Sequence, residues 1–290
     1  MNMYKLIPAS YELMQCVATC DRRWISTRKY YKISELLWSK INRWHRAFFI
    51  FCVAELNLVP GGQVGFQCND PALSHPYTGD TVNWKWLIGI TILLPLVVLL
   101  ITERQQCNHE IAKKQAFGWF KEYLYGFLLN LTIVQALKLI VGSPRPHFFE
   151  TCVPNEALTC KESEYVSSYT CTTAHWLKQS NKSFPSGHTS LAVHAAVFIT
   201  YYLYRRGRKL NSKTVSMVQI VSLSSAALCS LSRIWDRRHH WWDVIAGAMI
   251  ALLLLMYTIS TLCNNFNCSS PKSQVNKEQD TLVKNETETS

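Results

Sequence analysis

Residues 84–101 read WKWLIGITILLPLVVLLI, an almost unbroken apolar run with tryptophans at its start and Glu103-Arg104 just past its end. A helix rises about 1.5 Å per residue and the hydrocarbon core of a bilayer is about 30 Å thick, so about 20 apolar residues cross it. The run therefore reads as a membrane span, with Trp84 and Trp86 where aromatic rings favour the interface. Residues 217–231 with their flanks, and 244–262, have the same character. Residues 118–141 and 188–204 are less uniform, because the first carries Lys121, Glu122 and Lys138 and the second opens on His188. Residues 47–59 are short for a crossing and contain Glu55. Counting them as a span leaves both termini on one side and matches the charge pattern. The expectation is an all-α integral membrane protein: a bundle of six transmembrane helices over residues 47–262, a basic cytoplasmic segment 1–46, and a polar cytoplasmic tail 263–290.

The 290 residues carry a net charge of +11. Lys and Arg gather in 22–46, 104–121 and 205–213, which share one side of the six-helix arrangement. By the positive-inside rule that side is cytoplasmic, and residues 61–83, 142–187 and 232–242 fall on the other. Topology and attraction to anionic headgroups account for the basic balance. No aromatic-plus-basic recognition module is visible, so membrane lipids and not nucleic acid are the expected partners. The N-terminal region lacks the charged, apolar, small-residue order of a removable signal peptide. Ile33, Leu36, Leu37, Ile41, Trp44 and Phe48 recur at helical spacing among Lys32, Lys40 and Arg43, which suits a helix lying on the membrane surface. Residues 271–290 are polar and read as disordered.

Cys68, Cys152, Cys160 and Cys171 lie in the non-cytoplasmic loops, where an oxidising compartment permits disulfides; their pairing stays open. Their spacing does not fit a structural zinc site. Cys263 and Cys268 follow the last span on the cytoplasmic side, open to S-acylation. Asn181-Lys182-Ser183 is a glycosylation triplet in the largest outer loop, so Asn181 is the expected acceptor. The triplets at Asn130, Asn267 and Asn285 fall inside a span or on the cytoplasmic side and should stay unmodified.

Ionisable groups at membrane depth are costly and commonly face a cavity where chemistry happens. His239 and Asp243 are four residues apart, so on a helix they share a face. A carboxylate there can hold the proton on one ring nitrogen and leave the other free as a nucleophile, although an interfacial His and a helix-start Asp would look alike. His240 should point elsewhere. Pro185-Ser186-Gly187-His188 opens an apolar run as a helix N-terminus does, where free N–H groups bind phosphate oxygens, Gly187 permits close approach, and His188 can act as general acid. Ser186 is equally explained as an ordinary cap; His188 is not. Lys138 and Arg145 are seven residues apart and could project along one side of the third span, a point charge and a planar fork for phosphate. Arg233 supplies a third cation, and Arg237 and Arg238 further, non-catalytic ones. His194 reads as a helix-packing residue, and Trp241 and Trp242 as interfacial aromatics.

At these residues the chain resembles the phosphatidic acid phosphatase type 2 superfamily and, within it, the lipid phosphate phosphatases. The family pattern is Lys, six residues, Arg-Pro; then Pro-Ser-Gly-His; then Ser-Arg, five residues, His, three residues, Asp. Here Lys138 leads to Arg145-Pro146, then come Pro185 to His188, then Ser232-Arg233, His239 and Asp243, in the same order and spacing. Similarity extends through Cys68-Asn69-Asp70, Tyr77 and the second span, over most of 65–262. Pro144 departs from the usual larger apolar residue, the first span is short, and residues up to Arg46 have no clear counterpart.

The resemblance implies a six-helix hydrolase needing no metal and no cofactor, with its active site at the non-cytoplasmic face. The residue matching His239 attacks phosphorus, that matching Asp243 orients it, and that matching His188 protonates the leaving alkoxide. Those matching Lys138, Arg145, Ser186, Gly187 and Arg233 hold the phosphoryl oxygens, and water then hydrolyses the phosphohistidine. The expected substrate is a phosphorylated lipid such as phosphatidate, lysophosphatidate, sphingosine 1-phosphate or ceramide 1-phosphate. A polyprenyl diphosphate or a sugar phosphate is the alternative within the enzyme class. A non-catalytic lipid-binding protein would need only the cations, and a metal on His188, His239 and Asp243 would be opposed by them. Plasma membrane and internal membrane, and monomer and homo-oligomer, are equally compatible with the sequence.

Overall fold

The computed structural model describes residues 43–56, 58, 61–106, 108–173 and 179–267. Of the surface helix expected over residues 33–48, residues 33–42 lie outside them, as do the tail from 268 onwards, Cys268 and Asn285. The chain divides after Arg46, and the unit Ala47–Ser290 is the one that carries the site. Its architecture is mainly helical: α1 (Arg43–Glu55), which begins just before the boundary, α2 (Trp84–Arg104), α3 (His109–Val141), the short α4 (Phe148–Cys152), α5 (Gly187–Arg206), α6 (Ser212–Trp235) and α7 (Trp241–Tyr257). A single π turn, Thr258–Leu262, extends α7. A two-residue antiparallel ribbon pairs β1 (Phe66–Gln67) with β2 (Tyr165–Val166).

Local chemistry sets the helix ends. The side chains of Asn83 and Asn211 accept from the N–H groups of Lys85 and Lys213, each at 2.9 Å, and so cap α2 and α6. Gly142 ends α3 in the left-handed region at φ 61°, and a Cβ there would lie 1.8 Å from the carbonyl oxygen of Gly62.

Four segments, α2, α3, α6 and α7 with its π turn, are long and apolar enough to cross a membrane. Their outward faces are apolar: Leu93 is 61% exposed, Leu228 68% and Leu253 57%. Such surface is costly in water and suited to lipid. The other two expected spans differ for physical reasons. Helix α1 has 13 residues, about 20 Å of helix against about 30 Å of hydrocarbon. Glu55 at its end is bonded by the Gln135 amide. Helix α5 packs against α2, α3, α6 and α7 and is sheltered by them. It can therefore carry the buried polar residues Thr189, Ser190 and His194 that a lipid-facing helix could not. Ser190 donates to Asn130 Oδ1 at 2.7 Å, and the His194 ring lies 5.5 Å from that of Tyr123 and 6.4 Å from that of Phe127. Around these the bundle core is aromatic, with Tyr123, Phe198, Tyr202 and Phe266 buried.

At one end of the helices the loops form a cap. Phe66, Leu73, Phe148, Cys152 and Tyr169 make a second apolar cluster, and disulfides join Cys68 to Cys160 and Cys152 to Cys171. The C-termini of α3 and α6 and the N-termini of α5 and α7 meet beneath it. The closest approach there is backbone to helix: a Cβ on Gly247 would lie 2.4 Å from the carbonyl oxygen of Ser186. Gly247→Ala is therefore expected to push α7 from the start of α5, at a cost of about 1–3 kcal/mol. A clear drop in melting temperature of the detergent-solubilised protein checks it, and an unchanged melt contradicts it.

Candidate active site

Asp243 lies in the first turn of α7 with no solvent exposure, so its carboxylate must be satisfied from within the protein. Its Oδ2 accepts from the Ser183 hydroxyl at 2.6 Å and from the His240 backbone N–H at 2.9 Å. Its backbone carbonyl accepts from the Ser186 N–H at 3.0 Å, which ties the start of α5 to the start of α7.

His239 precedes α7 and sits in the bend after α6, so the helical i,i+4 relation expected from the sequence does not form. Its Nδ1 lies 3.7 Å from Asp243 Oδ2, beyond hydrogen-bond length, and 2.7 Å from the carbonyl oxygen of Ser183. A carbonyl only accepts, so Nδ1 carries the proton and Nε2 keeps its lone pair in the neutral ring. Burial pushes His239 well below the ordinary value of 6.5; Asp243 opposes this, and the cations Arg145 and Lys138 reinforce it. His240, expected to point elsewhere, instead has its Nδ1 3.4 Å from Asp243 Oδ2 and its ring stacked on Trp242 at 4.5 Å.

The cations come from two elements. Lys138 lies in the last turn of α3, whereas Arg145 stands beyond the Gly142 cap and is not on the helix. Their convergence depends on the loop: the Arg145 N–H bonds the Ser180 carbonyl at 2.9 Å, and Ser183 N–H bonds the Ser143 carbonyl at 3.0 Å. One Arg145 Nη donates to the Lys182 carbonyl at 3.3 Å, while its buried Nε has no acceptor. Burial, then the neighbouring Arg238, lower Arg145 to about 9, which leaves it cationic at neutral pH. Neither Lys138 nor Arg145 is paired with a carboxylate among the described residues.

Ser186 caps α5, its hydroxyl accepting from the Thr189 N–H, and the helix N-terminus opens beside Lys138. A Cβ on Gly187 would stand 3.5 Å from Lys138 Nζ, so the glycine keeps that approach clear. His188 follows with its Nε2 3.1 Å from the Val82 carbonyl oxygen, a contact that uses Nε2–H and leaves Nδ1 for proton exchange.

Arg233 is 1% exposed and already engaged: Nη1 bonds Asp80 and Nη2 bonds Asp236, each at 2.8 Å. Arg238 is also buried, 3.1 Å from Asp80 through Nε, with its guanidinium over the Tyr77 ring and one Nη beside His147 Nε2. The structure thus brings Lys138, Arg145, Ser186, Gly187, His188, His239 and Asp243 around one place and holds Arg233 in a carboxylate network beside it. Sequence reasoning missed Ser183, Asp80, Asp236 and His147. In the sequence Ser183 stands out only as the third residue of a glycosylation triplet, and Asp80 sits in a polar loop that carries no motif.

Comparison with known proteins identifies relatives of the chain. The model of the PAP2 superfamily matches residues 119–266, about half of the chain. A Drosophila melanogaster protein named "Putative phosphatidate phosphatase" is 30% identical over 241 residues, 72% of this chain and 63% of its own length. "Phospholipid phosphatase homolog 1.2 homolog" of Caenorhabditis elegans is 28% identical over 78% of this chain and 74% of its own. "Phospholipid phosphatase 1" of Mus musculus is 29% identical over 67% of this chain and 75% of its own. No solved structure matches significantly. The chain belongs to the PAP2 superfamily.

Because burial disfavours the imidazolium, His239 should stay neutral as the pH falls and protonate only below 6.5. Nitrogen-15 NMR of labelled histidines is expected to find it as the Nδ1–H tautomer at neutral pH. A midpoint at or above 6.5 would contradict the geometry.

Proposed function

We propose that this chain is a phosphatase that removes phosphate from membrane lipid monoesters, such as phosphatidate, lysophosphatidate, sphingosine 1-phosphate or ceramide 1-phosphate, through a phosphohistidine. The observation that carries this reading is a buried histidine whose Nδ1 is engaged by a carbonyl, leaving Nε2 its lone pair, beside two cations, Lys138 and Arg145, that have no carboxylate partner among the described residues. Such a site favours an anion beside a nucleophile. The names of the relatives, phosphatidate and phospholipid phosphatases, favour a lipid as that anion's carrier.

The first step forms a bond from His239 Nε2 to phosphorus and breaks the bond from phosphorus to the ester oxygen. That oxygen leaves with the electron pair and takes a proton from the imidazolium of His188, through Nδ1. The second step reverses the roles: neutral His188 takes a proton from water, the hydroxide attacks phosphorus, and the pair of the P–N bond returns to His239. Lys138, Arg145 and the free N–H groups at the start of α5 hold the phosphoryl oxygens throughout. Arg233 adds charge beside them and can bond the substrate directly once Asp80 releases Nη1. The same cations oppose a divalent metal, so the reaction is metal-independent.

The reading places six crossings in the membrane, with α1 and α5 completing the four long apolar helices, and the site at the non-cytoplasmic face. Support for that face comes from the Lys and Arg distribution and from the two disulfides in the cap, which belong in an oxidising compartment. Asn181, in the same cap, would carry the glycan.

Phosphate release from a panel of lipid phosphates, in strong chelator, tests the reading. Wild type should turn over and His239→Ala should fall by more than about 1,000-fold, as expected when a nucleophile is removed. His188→Ala should be nearly as inactive on alkyl esters yet regain much of its rate on a nitrophenyl phosphate, whose leaving group departs without a proton. Activity in His239→Ala, or loss of wild-type activity in chelator, would sink the mechanism.

A further inference from the structure

Ser183 touches both members of the histidine–carboxylate pair. Its hydroxyl donates to Asp243 Oδ2 at 2.6 Å, and its own carbonyl oxygen accepts the Nδ1 proton of His239 at 2.7 Å. The residue has no solvent exposure, and its N–H is anchored on the Ser143 carbonyl at 3.0 Å. Neither contact follows from helix geometry, since Ser183 lies in the extended stretch ahead of Ser186 and His239 lies in the bend ahead of α7.

We infer that Ser183 is a positioning residue for the reaction proposed above, on which this inference rests: it sets the tautomer of His239 through its carbonyl and holds the Asp243 carboxylate through its hydroxyl. Asp243 lies 3.7 Å from Nδ1 and so cannot fix the ring by a direct hydrogen bond in this state. The ring is oriented by Ser183 instead. When Nε2 bonds phosphorus the imidazole becomes cationic, and the carboxylate must then lie close to Nδ1–H to stabilise it. Asp243 accepts two hydrogen bonds at Oδ2 and none at Oδ1 from the described residues. Removing the Ser183 hydroxyl would leave a fully buried carboxylate with a single donor and freedom to turn.

The same residue completes the Asn181-Lys182-Ser183 triplet, so a loss of function in a Ser183 variant has two readings, glycan or geometry. Four variants separate them, purified and assayed beside wild type on a lipid phosphate with melting temperatures recorded. Ser183→Ala should lower kcat roughly 10- to 100-fold, the worth of one hydrogen bond to a charged group, with KM within about 2-fold. Ser183→Thr keeps both hydroxyl and triplet and should stay within about 3-fold of wild type. Asn181→Gln removes the triplet alone and should leave kcat unchanged. Should Ser183→Ala fail to accumulate, the near-isosteric Ser183→Cys, a weak donor, carries the same expectation.

A folded Ser183→Ala or Ser183→Cys with wild-type kcat overturns the inference. So does an Asn181→Gln variant as slow as Ser183→Ala, or a folded Ser183→Thr no faster than the alanine variant. Wild type that releases no phosphate removes the functional reading itself, an outcome distinct from any of these.

Discussion

The buried carboxylate of Asp243 is the constraint on which the arrangement depends. A charge with no solvent exposure has to be met by donors at fixed places, and those donors come from separate parts of the chain: the stretch before α5 and the bend between α6 and α7. Its backbone carbonyl adds a third tie, to the N–H of Ser186. Satisfying one side chain therefore brings the start of α5, the start of α7 and the loop carrying Arg145 to the same place. Gly247 allows this, since any side chain there would meet the Ser186 backbone. The geometry of the candidate site and the helix packing are in this sense the same set of contacts, and a change in either moves both.

Charge balance around this point is uneven in a useful way. Arg233 and Arg238 are neutralised internally by Asp80 and Asp236, which lets two guanidinium groups be buried at tolerable cost. Lys138 and Arg145 have no such partners among the described residues, and Arg145 keeps a buried Nε without an acceptor. Arg145 and Lys138 act electrostatically on His239, whereas Arg233 and Arg238 are held by carboxylates. On the proposed reading, an incoming phosphoryl group would find positive potential beside His239. Asp80 is the more exposed of the carboxylates on Arg233, so it is the one a competing anion could displace.

Much of this was legible in the sequence, and the failures have physical causes. The apolar runs gave the long helices because lipid demands an apolar exterior whatever the tertiary contacts. Helix α5 is less apolar because its neighbours, and not lipid, cover it, which hydropathy alone cannot register. The motif residues were recognisable by type and spacing, but spacing was read as helical reach. Arg145 and His239 lie outside helices, so their approach to Lys138 and Asp243 depends on loop bonds that no periodicity encodes. Ser183 and Asp80 were hidden for the same reason: their partners are distant in sequence, and serine and aspartate are ordinary loop residues. The disulfide partners were likewise open until the cap brought Cys68 beside Cys160 and Cys152 beside Cys171.

The two histidines show how backbone acceptors alone can leave opposite ring nitrogens available in one residue type. At His239 a carbonyl engages Nδ1 and frees Nε2; at His188 a carbonyl faces Nε2 and frees Nδ1. Both carbonyls belong to loop residues: Ser183 is anchored on the Ser143 carbonyl, and Val82 sits in a bend just before α2 and packs against the bundle core. The side chains that react would then be aimed by the loops, while the bundle supplies rigidity and membrane anchorage. It follows that, on the proposed reading, changes in the loops that present these carbonyls should alter turnover more readily than changes at the exposed apolar side chains of α2 or α6, such as Leu93 and Leu228.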